Sequence, residues 1–84
     1  MEGEAKVVML REPVRLASGE TLDRLAIRPP SVGDVLAAHK TSGDDAEREF
    51  QLISRLSGVN PEDLRRVGFA DYRAALKELL PFLE

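Results

Sequence analysis

Pro29-Pro30 divides the chain more sharply than any other pair of residues in it. Neither proline can donate to a strand ladder, and the first also biases Arg28 toward extended backbone. Before the pair, apolar residues recur at every second position. After it, they recur at helical spacing. The chain therefore reads as a β-hairpin over about 6–28 followed by three to four short α-helices over about 31–83, an α+β fold. With 84 residues, one domain spanning 1–84 is expected.

In the first half, Val8, Leu10, Val14 and Leu16 alternate with Arg11 and Arg15, the period of a half-buried strand, with Glu12 the polar exception. Pro13 lies inside that run, so the strand is an edge or is bulged there. Ala17-Ser18-Gly19-Glu20 supplies the turn, with Gly19 at positive φ, and Leu25 and Ile27 continue the alternation. A one-residue slip exchanges the two faces, so alternation alone does not say which is buried.

In the second half, Ser31 and Asp34 form a capping arrangement, and Val32, Val35, Leu36 and His39 share one helix face. Thr41-Ser42-Gly43 breaks the chain, and Asp44 or Asp45 caps a second helix with the stripe Ala46, Glu49 or Phe50, Ile53, Leu56 and Ser57. Asn60-Pro61-Glu62-Asp63 is a strong helix start, predicting a third helix to about Val67. The last helix starts near Ala70 or Asp71, carries Tyr72, Leu76, Leu79 and Leu80, and is interrupted at Pro81.

Catalytic templates are missing. The chain has no cysteine and a single histidine, which excludes thiolate metal sites, cysteine nucleophiles and a two-histidine site. Its glycines fall too far apart for a phosphate loop. His39-Lys40 ends a helix, where the dipole favours cations, and that role is preferred to a base paired with Ser42. Asp44-Asp45 with Glu47 and Glu49 lacks the register of a calcium loop and suits a first helical turn. No enzyme and no cofactor are expected. No apolar run spans a bilayer, and Met1-Glu2-Gly3-Glu4 is acidic where a secretion signal would be basic, so an intracellular protein is expected.

Two binding readings stand. The second helix, Gly58-Val59-Asn60 and the third helix could imitate a helix-turn-helix, with Arg65, Arg66, Arg73 and Lys77 for phosphates. The net charge of −3 and the acids interleaved with those arginines weigh against a nucleic-acid partner. Phe82 and Leu83 either cap the hairpin or present an apolar patch to another protein.

The order Leu10-Arg11-Glu12-Pro13-Val14, Gly19, Leu22, Leu25, Ile27-Arg28-Pro29-Pro30 and Asp34 resembles the start of phage tail assembly chaperones, the E or 41 type of Mu-like contractile-tailed phages. Leu56-Ser57-Gly58, Leu64, Asp71 and Phe82-Leu83 are similar to that family's helical half, so the resemblance runs from about Val7 to Leu83. It implies a non-enzymatic protein of phage or prophage origin, in the cytoplasm of a bacterial host and absent from the mature virion. Its partner would be the tape measure protein, with contacts to the tail tube protein and self-association also in view. A frameshifted extension would join after Leu80-Pro81-Phe82-Leu83-Glu84. On this reading the partner surface is the strand edge at Pro13 together with Tyr72, Phe82 and Leu83.

Overall fold

A computed structural model of the chain describes residues 4–41 and 43–83. Met1–Gly3, Ser42 and Glu84 lie outside them, and with them the acidic start, the Ser42 pairing considered for His39 and the residue where an extension would join. The elements are β1 (Lys6–Arg15), β2 (Thr21–Ile27), α1 (Val32–Thr41), α2 (Asp45–Ser57), α3 (Pro61–Leu64) and α4 (Phe69–Leu83). This is the expected α+β order.

β1 and β2 pair antiparallel, from Lys6 opposite Ile27 to Met9 opposite Arg24, and again from Val14 opposite Leu22. Between these stretches β1 advances by five residues and β2 by only two, so β1 is bulged across Leu10–Pro13. The surplus is odd in number, which re-phases the partner strand. Val8, Leu10 and Val14 all face inward, while the inward residues of β2 change from Leu25 and Ile27 to the half-buried Leu22. Val7 and Met9 lie on the open face. Gly19 closes the turn at φ 96, a conformation only glycine adopts without strain.

The core is aliphatic throughout. Leu25, Ile27, Ile53, Leu64 and Leu79 are its most enclosed members, and Phe50, Tyr72 and Phe82 pack only against its margin. Three buried carboxylates tie the helical half to the hairpin. Asp71 accepts the backbone N–H groups of Arg11, at 3.1 and 3.0 Å, and of Glu12, at 3.3 Å, which are the amides the bulge frees from the ladder. Asp63 accepts from the Ala17 N–H at 3.1 Å. Asp34 accepts from the Ser31 N–H at 2.9 Å, while the Ser31 hydroxyl accepts from the Asp34 N–H, a reciprocal helix cap.

Four details depart from expectation. The face of α1 carrying Val32, Leu36 and His39 points outward, with Val32 76% exposed, and Asp34 and Ala38 point inward. Arg28 and Arg55 draw the Asp34 carboxylate in, and the small Ala38 one turn later allows α2 to approach. Ala46 on α2 is exposed. α3 stops at Leu64, because Arg66 and Val67 bond back three residues to Asp63 and Leu64 and the chain tightens. α4 starts at Phe69 and runs through Pro81 to Leu83; the proline has no N–H to give the carbonyl of Lys77, four residues earlier and itself an exposed residue.

Candidate protein-binding surface

Apart from Val7 and Met9 on the open face of the hairpin and Leu80 midway along α4, the apolar side chains that the aliphatic core leaves outside gather in two places. The first is a groove of about 490 Å³ between the start of α2 and the α3–α4 junction. α2 begins at Asp44, whose carboxylate accepts the Glu47 N–H at 2.8 Å, and this cap sets Phe50 one turn into the groove. α4 begins after Gly68, and its first-turn residues Phe69 and Tyr72 form the other wall. The Phe50 and Tyr72 rings lie 6.2 Å apart and tilted by 49°, a favourable aromatic pair. The Arg65 guanidinium sits over Phe50 at 5.5 Å and that of Arg73 over Phe69 at 6.0 Å.

Charge is arranged across this groove. Asp44 and Glu47 line it from α2, and Arg65 lines it from the α3–α4 side. Tyr72 feels the acidic wall: burial, and then the charges of Glu49 and Glu47, push its phenol up to about 12.

The second place is the opposite end of α4, where Phe82 meets Val32, Val35 and Leu36 of α1. Phe82 is half-buried with the Lys6 ammonium 6.0 Å from its ring centre, and Leu83 is 44% exposed. Behind this end stands the Asp34 cluster. Arg28 donates to Asp34 at 2.6 and 3.0 Å and Arg55 at 2.7 Å. The Arg28 guanidinium, followed by the Ser31 N–H, holds that carboxyl far below the usual carboxylate range. Both arginines remain about half exposed, and the cluster joins the end of β2 to α1 and α2.

The four residues expected to meet a partner therefore do not gather at one point. Pro13 is exposed in the bulge, and the bulge is bonded through Asp71 to the first turn of α4, where Tyr72 sits. Phe82 and Leu83 lie ten and eleven residues further along α4, about 15 Å away along its axis. The sequence reading missed Phe50, Phe69, Val32 and Leu36. Phe69 and Tyr72 at i and i+3 on α4 were the available signal, since they continue through Leu76, Leu80 and Leu83 at helical spacing.

Other chemistries find little here. Among the described residues no group of three or more histidine, cysteine or acidic side chains is placed to hold a metal, and no helix is long and apolar enough to cross a membrane. The helix-turn-helix alternative meets an α3 of four residues, one turn, too short to lie along a major groove. Arg66, one of its phosphate candidates, is paired with Asp63 at 2.6 Å.

Comparison with known protein families gives a match over nearly the whole chain. The sequence pattern of the family described as phage tail assembly chaperone proteins, E, or 41 or 14, fits residues 7–84. Neither a curated protein nor a solved structure matches the chain.

Proposed function

The chain belongs to the phage tail assembly chaperone family, and we propose that it binds the tape measure protein and keeps it soluble while the tail is assembled. It does so in the host cytoplasm by binding alone, with no catalysed step and no cofactor, and it leaves before the virion is complete. The family match is the observation that carries this reading. The structure supports it with an aliphatic core that leaves Phe69, Val32, Leu36, Leu80 and Leu83 at the surface, where they offer apolar area to a partner.

Tyr72 in the groove and Phe82 and Leu83 at the far end of α4 are the residues assigned to partner contact, with the Pro13 bulge as the flank nearest Tyr72. The net charge of −3 keeps a complex with a sticky client apart from its neighbours. Contacts with the tail tube protein and self-association are further parts of the same proposal.

The test is co-expression with segments of a tape measure protein from the same phage or prophage, scored by recovery of soluble client. A stoichiometric soluble complex is expected. Client that stays insoluble in every segment, beside an unbound chain, refutes the reading.

A further inference from the structure

The chain has four aromatic residues, and three of them, Phe50, Phe69 and Tyr72, line the single groove between α2 and the α3–α4 junction. The core holds none. Packing does not demand this distribution. Phe69 is 73% exposed, and its ring touches the Arg73 guanidinium rather than the interior. Rigid aromatic side chains beside arginine are the residues that dominate binding energy at protein interfaces.

α4 carries this surface beyond the groove. Its buried line is Asp71, Ala75 and Leu79. Beside that line, at spacings of three and four, run Phe69, Tyr72, Leu76, Leu80 and Leu83, all half-buried or exposed. Fifteen residues, and so fourteen steps of the helical rise, make this second stripe about 21 Å long, four turns. A stripe of that length and period is matched by the apolar face of another helix.

The walls of the groove differ in sign. Asp44 and Glu47 stand on the α2 side and Arg65 on the other, with Arg73 beneath Phe69. A helix settling between them is favoured when one flank of its apolar stripe is basic and the other acidic. Reversing a helix end for end exchanges its flanks, so the two walls also select its direction.

We infer that the Phe50–Phe69–Tyr72 groove and the adjoining stripe of α4 are the docking site for one amphipathic helix of about four turns, basic on the flank meeting Asp44 and Glu47 and acidic on the flank meeting Arg65. This rests on the chaperone reading for the identity of the client, and the geometry supplies the site and the client segment's chemistry. The bulge at Pro13 borders the site, and the Phe82–Val32–Leu36 patch lies outside it.

The test titrates the isotope-labelled full chain with a synthetic amphipathic helical peptide bearing a leucine stripe, lysines on one flank and glutamates on the other, read by amide shifts. Shifts centred on Phe50, Phe69, Tyr72 and Leu76 are expected. Phe69→Ala removes a side chain the fold does not enclose, and it should weaken the peptide about tenfold, or 1.4 kcal/mol, with an unchanged spectrum elsewhere. A peptide with glutamate on both flanks should bind several-fold more weakly, and Glu47→Lys should restore it. Shifts confined to the α1 end, undiminished binding by Phe69→Ala, or indifference to flank charge overturn the inference. So do the same shifts produced by concentrating the chain alone, which would give the groove to a second copy. The two proposals fail separately. A wild-type chain and Phe69→Ala that solubilise tape measure segments equally well refute the groove and leave the chaperone reading intact. A chain that binds the peptide in the groove but solubilises no segment refutes the chaperone reading alone.

Discussion

Asp71→Ala is the substitution that most directly probes how the two halves are joined. The carboxylate is 5% exposed and receives two backbone amides, those of Arg11 and Glu12, at 3.0–3.3 Å. Hydrogen bonds to a charged acceptor contribute about 1.5–3 kcal/mol each where both groups are enclosed. Arg11 and Glu12 are exposed residues, so their amides recover part of that from water once the acceptor is gone. About 1 kcal/mol per amide, plus up to about 1 for a first-turn acid at the α4 N-terminus, gives a loss of about 2–4 kcal/mol with the strain of a loosened bulge included. An 84-residue domain holds about 4–13 kcal/mol in all. At about 6 °C per kcal/mol for this length, Tm falls by about 12–24 °C. The assay is thermal unfolding followed by far-ultraviolet circular dichroism, with Asp71→Asn and Asp45→Ala beside it. Asp71→Asn keeps one acceptor oxygen and should lose about half as much. Asp45, whose side chain is 91% exposed and pairs with Arg48, should lose less than about 0.5 kcal/mol. An Asp71→Ala chain melting within about 3 °C of wild type refutes the reasoning, because the bulge amides would then be satisfied by water.

The Asp34 carboxyl, held low by Arg28, the Ser31 N–H and Arg55, stabilises the folded state above the ordinary carboxylate value of 3.8 and loses that contribution as pH falls from there toward its folded value. Tm should therefore drop progressively below about pH 4, and Asp34→Asn should flatten that acid limb while lowering stability at neutral pH. Gly58 sits at φ 74 with nothing within 4 Å of an added Cβ, so Gly58→Ala incurs backbone strain alone, about 1 kcal/mol, and lowers Tm by about 6 °C. Gly33→Ala, inside α1 with the Ser31 hydroxyl at an ordinary 3.6 Å from the added Cβ, should not lower Tm.

The parts that could be read from the sequence are those decided within a few residues. Gly19 in its turn, Ser31 with Asp34, Gly58 after α2 and Asn60-Pro61 at the start of α3 each carry a local backbone requirement that only a few residue types meet. Pro13 announced the bulge for the same reason, since it has no N–H to give the ladder. Errors arose where a distant group overrode the local pattern. Val32, Val35, Leu36 and His39 have the spacing of a buried face, but Arg55, 21 residues from Asp34, turns α1 so that its polar cap faces inward. Asp63 is held by Ala17, 46 residues earlier, and the chain after it tightens into short turns instead of extending α3. For the proposed binding surface, Tyr72 stood out in the sequence because it is an aromatic on an apolar helix. Its companions Phe50 and Phe69 did not, because α4 is apolar over a wider arc than its own core covers. Which part of that arc stays open depends on where α2 crosses it.

The Asp71 bond to the bulge also fixes an order of events during synthesis. Sixty residues separate Arg11 from the carboxylate that receives its amide. At about 5–20 residues per second, β1 is made about 3–12 s before its acceptor exists. Through that interval the bulge has no anchor, and the inner face of the hairpin, Val8, Leu10, Leu25 and Ile27, waits first for α2 and then for α4 to cover it. The core therefore closes only once α4 has been made, and until then the nascent chain carries exposed apolar surface of its own.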